Sequence, residues 1–272
     1  MLGRLAHAAS GAAALLLSAT LAHAYVMATD SGGRPVSWTA RTIQLVVAPA
    51  PGELNAALHE ATERAAARWS TATGLTISVR ADAHAPLQVS EDGRSTVVLR
   101  TRRWCPDDPA QGCYDPSRHA LTQLYTRPRA GEPENAEILE ADIEVNAVDF
   151  DWRALPPRSL DAVLLHELGH LLGLDHSCGA TTLLERTDQQ GSPVPICRSA
   201  PRVAVESVMY PDPLDPAHGG RVELSDDELL AAADLYGAPS RGRRLTFSAV
   251  LAVLGLGTVG TLWLVRNRPP SG

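Results

Sequence analysis

The chain contains no lysine, so arginine alone supplies the 24 fixed positive charges. Against 31 acidic residues they leave a formal net charge of −7. Nothing in this balance resembles the basic footprint of a nucleic-acid binder. Aromatic residues make up only 4% of the chain, too few for a carbohydrate surface built from stacked rings. Cysteine occurs four times and never as C-x-x-C, which argues against a cysteine-bound structural zinc. What remains is ordinary: 272 residues, 44% hydrophobic and 20% charged, enough for one domain with a sizeable core plus appendages.

The appendages are the two ends. Arg4 precedes an apolar stretch from Leu5 to Leu21, and Ala22-His23-Ala24 is a small-x-small site. Residues 1–24 therefore read as a secretory signal cut before Tyr25. At the other end, Leu245 to Val265 carries no charge and is long enough for one bilayer span, with arginines on both sides. After a signal peptide it acts as a stop-transfer segment. The expected layout is a folded domain over 25–238, a linker at 239–244, a membrane helix at 245–265 and a short tail at 266–272. The product is exported and anchored with its domain outside, or released if the tail is processed. Export makes disulfides expected among Cys105, Cys113, Cys178 and Cys197. Three pairings exist; Cys105–Cys113 and Cys178–Cys197 each close a local loop and are favoured.

Between the ends the pattern is α+β. Residues 25–40 read as a lead-in. Thr42 to Ala48 is β-rich, Glu53 to Thr73 has a helical apolar stripe, and Leu75 to Arg80 and Ser95 to Arg100 are further strands. This order predicts a mixed, twisted sheet backed by a helix. A loop at 101–118 holds the first cysteine pair. Glu137 to Asn146 alternates apolar and polar residues as a strand. Ser159 is placed to cap a following helix, and Asp161 suits its positive end. Ser225 and Glu228 form an S-x-x-E capping box for a last helix ending near Gly237.

The chemistry concentrates at His166-Glu167-Leu168-Gly169-His170-Leu171-Leu172-Gly173-Leu174-Asp175-His176. On a helix, His166 and His170 lie one above the other and can grip one Zn²⁺. Glu167 is placed to reach a water on that metal. Gly173 can turn the chain back so that His176 supplies a third nitrogen. Three protein ligands leave a fourth position open, the pattern of a catalytic rather than a structural zinc. A structural site would need a fourth protein ligand, for which Asp175 and Cys178 are the nearest candidates.

The pattern H-E-x-x-H-x-x-G-x-x-H resembles the zinc site of the metzincin metallopeptidases, and Ser207-Val208-Met209-Tyr210-Pro211 resembles their Met-turn. Tyr210 directly after the methionine and the L-S-D-D-E…L-Y-G ending resemble the matrixin branch. The likeness spans about residues 38–238. It implies a zincin-like fold and a zinc endopeptidase with His166, His170 and His176 as ligands, Glu167 as general base and Met209 beneath the metal. Its substrate would be a protein or peptide. It also implies that the strand before the zinc helix, with Ile138, Leu139, Glu140, Ala141 and Asp142, is an edge that receives substrate as an added strand. Tyr210 is not assigned to the metal. His119 and His218 read as surface residues. The calcium ligands of matrixins are not legible, although Asp107, Asp108 and Asp115 could bind Ca²⁺. The alternative is a catalytically silent metzincin-like module that only binds partners at the surface.

Overall fold

Thr42–Val47 is rich in β-branched and apolar residues and forms strand β3. The computed structural model describes residues 24–237 apart from 107, 109, 111, 180–185 and 190. Two short strands precede β3: β1 (Val26–Met27) and β2 (Val36–Ser37). After it come helix α1 (Leu54–Thr73), β4 (Thr76–Ala81), β5 (Ser95–Arg100), β6 (Ala120–Arg129) and β7 (Glu132–Asn146). Helix α2 (Ser159–Leu171), β8 (Leu174–Asp175), α3 (Arg202–Val205) and α4 (Asp226–Tyr236) complete the chain.

The main sheet runs β2-β7-β5-β3-β4, with β6 alongside β7. Every pairing is parallel except β6 with β7. β3 and β4 can be parallel neighbours because α1 carries the chain back between them. The fold is thus mixed α and β around a mostly parallel sheet, as the element pattern predicts. One sheet face packs on the helices. Ile43, Leu45, Val97, Leu99, Ile143 and Val145 meet the α1 stripe of Leu58, Ala65 and Trp69, and the apolar flank of α2. On the other face a small cluster of Val46, Ala48 and Val98 lies under Ala85.

β7 explains why its sequence was misread as an edge. Its register with β6 slips at Leu139, where Tyr125 pairs with Glu140 and Thr126 with Ile138. The bulge pushes Leu139 outward and switches the alternation. Ile138 and Ala141 both reach the main core, while Glu140, Asp142 and Glu144 are buried on the opposite face. The stretch Ile138 to Asp142 is therefore internal. β6 covers one side of it, and Ser95 and Thr96 bond to it from the other. The edge on this side of the sheet is β6.

Residues 25–40 are also more than a lead-in. Tyr25, Val36 and Trp38 are buried, β2 joins the main sheet, and β1 pairs antiparallel with β8. The Trp38 indole donates to Leu171 O at 2.8 Å, tying this segment to the end of α2. Among the described residues no helix is long and apolar enough to cross a membrane. The proposed signal peptide up to residue 23, the linker, the 245–265 span and the tail lie outside the described residues.

Candidate metal centre

Helix α2 begins without the expected cap. Arg158, at φ 69°, is the N-cap residue and no side chain caps the helix. Ser159 is already helical and its hydroxyl donates to Pro156 O at 2.7 Å. Asp161 does sit in the first turn, paired with Arg64 at 2.7 Å, so α1 and α2 are clamped together there. The helix is buried on nearly every side. Such burial fixes the direction of each side chain it presents.

His166 and His170 are one turn apart on α2. Gly173, at φ 92°, then reverses the chain, and its Cα lies so close to Val36 that an added Cβ would sit 2.3 Å from Val36 O. Only glycine fits both demands. β8 follows, held by β1, and delivers His176 to the other two imidazoles. The three histidines are the one group of three metal-binding side chains found among the described residues.

Their hydrogen bonds show what the group can hold. His166 Nδ1 lies 2.8 Å from Val208 O, and His170 Nδ1 lies 2.8 Å from Leu174 O. A carbonyl only accepts, so each Nδ1 carries the proton and each neutral Nε2 presents a lone pair. Those Nε2 atoms are 3.1 Å apart, and His176 Nε2 is 3.1 Å from that of His170. Lone pairs facing one another repel unless a cation sits among them. Nitrogens about 2.05 Å from a tetrahedral zinc would be ~3.3 Å apart, close to this spacing. Burial, and repulsion from the neighbouring imidazoles, lowers the pKa of His166 to about 3 and that of His176 well below its usual value, so both offer neutral nitrogens. The site fits a metal ion and is compatible with zinc.

Glu167 stands beside the ligands at the wall of a cleft of about 710 Å³. Burial pushes its carboxyl up. Thr122 of β6 donates to its Oε2 at 2.6 Å. Ala120, Leu121, Thr122 and Leu124 of β6 line the same cleft, so the true edge strand borders the metal site. β6 was missed because its ten residues contain Pro128 and several polar side chains; its strand character comes from pairing with β7.

Beneath the histidines, Met209 is buried against α2. Its sulfur occupies the place a side chain at Gly169 would need, 2.2 Å from an added Cβ. The Met209 turn is itself held from α4. The capping box forms as expected, with Ser225 N donating to Glu228 Oε2 at 2.7 Å. The other oxygen of Glu228 accepts from Ser207 Oγ at 2.6 Å and Val208 N at 3.0 Å. A fully buried carboxylate thus fixes the turn whose Val208 carbonyl orients His166.

Both expected disulfides are present, Cys105–Cys113 and Cys178–Cys197. The second pins the insert after His176, and Arg186 from that insert pairs with Asp175 at 2.5 Å. Asp175 thus has one oxygen on Arg186 and the other on His176 N, Cys178 is oxidised, and neither joins the histidine group. His119 is not a free surface residue: its ring stacks on Phe150 at 4.3 Å and faces Asp212 at 3.4 Å across the cleft. His218 lies half-buried against the Tyr210 ring. Of the suggested calcium ligands, Asp107 lies outside the described residues. Asp115 accepts Ser117 N and Oγ within its own turn, Asp108 accepts Ala110 N, and among the described residues no acidic group of three forms around them. The sequence matches no family model and no curated protein.

Proposed function

We propose that this protein is an exported zinc endopeptidase of the metzincin type, close to the matrixins, hydrolysing peptide bonds of protein substrates. One observation carries the reading: His170 Nε2 lies 3.1 Å from Nε2 of both His166 and His176, and all three nitrogens fall within 4.8 Å of one another, next to a buried glutamate at the wall of an open cleft. His166, His170 and His176 would hold the metal. When bound, zinc supplies a Lewis acid that polarises the scissile carbonyl and acidifies water. Glu167 takes the proton of the attacking water and returns it to the leaving amine. Burial raises its carboxyl pKa, the direction that favours taking up a proton. Met209 shapes the apolar floor and moves no proton.

The substrate would lie extended along β6, adding a strand on the side away from β7. This moves the substrate-binding role from Ile138–Asp142 to Ala120–Leu124. The two disulfides suit an oxidising, extracytoplasmic compartment. Anchoring by residues 245–265 belongs to the same proposal, as does the absence of any role with nucleic acid.

The test is zinc content measured together with cleavage of a diverse peptide pool, with and without chelator. About one zinc per chain, with cleavage lost to chelator, supports the peptidase. One zinc with no cleavage overturns it in favour of a silent binding module at the surface.

A further inference from the structure

The edge strand does more than border the cleft. Thr122 Oγ1 lies 2.6 Å from Glu167 Oε2 and 3.2 Å from Glu167 O. A hydroxyl has one proton, and the carboxylate is both the nearer and the stronger acceptor. Thr122 sits opposite Ile143 in the β6–β7 ladder, so its backbone is fixed by the sheet rather than by the loop before it. Threonine is also stiff at χ1, which narrows where the hydroxyl can point. Among the described residues no group donates to Glu167 Oε1. The carboxylate is therefore asymmetric: one oxygen is pinned to the sheet and the other is left for the cleft.

This matters because the last torsion of a glutamate is broad and roughly two-fold. Packing of α2 sets where the carboxylate is, but not how it is rotated. We propose that Thr122 is a positioning residue for Glu167, its hydroxyl fixing Oε2 so that Oε1 faces the water to be deprotonated. The inference rests on the peptidase reading above and deepens it. It ties the strand that would receive substrate directly to the base that acts on it.

The experiment uses the full chain as wild type, Thr122→Val, Thr122→Ser, Glu167→Ala and the Thr122→Val/Glu167→Ala double variant. Turnover is read on the zinc-loaded forms and thermal midpoint on the metal-free forms. Loss of a hydrogen bond to a charged group predicts about a 10–100-fold fall in kcat for Thr122→Val, with KM and zinc content unchanged. Thr122→Ser recovers most of that loss. In the metal-free protein, the midpoint shifts of Thr122→Val and Glu167→Ala fail to add, because the second removes what the first acts through. Additive shifts, an unchanged kcat in Thr122→Val, or equal losses in the Val and Ser variants would overturn the proposal. If wild type binds zinc but cleaves nothing, the peptidase reading fails on its own. The midpoints still decide whether the hydroxyl holds Glu167.

Discussion

Glu167 and Asp142 are both buried carboxylates, and they lie on opposite sides of one sheet. Burial is the first cause of a raised pKa in each, and for Asp142 it reaches about 7. Their surroundings differ. Glu167 borders an open cleft, has three imidazoles beside it and keeps one oxygen without a protein donor. Asp142 is closed in between Glu140 and Glu144, where its Oδ1 accepts Thr96 N at 2.8 Å. Turn 89–94 folds over that row, with Asp92 N and Gly93 N both donating to Glu140. The Ser90 backbone N–H also favours the ionised carboxyl, but among the described residues no group lies within hydrogen-bond distance of Asp142 Oδ2. A shifted pKa therefore marks a site only where a cleft gives the group something to act on. On the sealed side the same shift is a cost to folding.

The comparison is tested most severely by separating chemistry from stability. Glu167→Gln should lower turnover by about 10²–10⁴-fold, the range for losing a general base, with zinc content nearly unchanged. Gly173→Ala attacks the frame of the same side. Its Cβ meets Val36 O and its φ is wrong for alanine, so a loss of about 3 kcal/mol is expected in urea unfolding, with weaker zinc binding. Asp142→Asn should do the converse of Glu167→Gln. A carboxyl whose folded pKa lies above its unfolded value gives most stability below about pH 4 and loses it as pH rises towards about 7. The Asn variant should gain on wild type across that window, by about 1–3 kcal/mol at pH 8, with kcat untouched. Least affected should be Ser159→Ala, with a loss of about 0.5–1.5 kcal/mol by the same unfolding assay, because its hydroxyl bonds Pro156 O rather than capping α2. An unchanged stability would deny that bond any weight.

What could be read in advance was local. The spacing of the three histidines, the Met209 turn, the S-x-x-E box and the two disulfide loops are set by residues close in sequence, and the structure assembles each of them. What could not be read depended on partners distant in sequence. β6 has weak intrinsic strand character and is made by pairing with β7. The Leu139 bulge hides in a run that alternates well enough to pass for a simple strand. Ser159 has the right identity for a cap, but Pro156-Pro157 and the left-handed Arg158 shift the helix start by one residue. Residues 25–40 are too short and irregular to announce themselves, yet they bury Trp38 and hold β8.

That last segment has a consequence in time. Tyr25 bonds through its hydroxyl to Asp234, 209 residues later. β1 in turn braces the strand that carries the chain to His176. A ribosome makes this brace among the first residues and its anchors among the last. Contacts of such sequence separation are slow to close and wait for the whole domain. A chain still emerging has its histidines but not the frame that gathers them, so any metal they hold would be captured late.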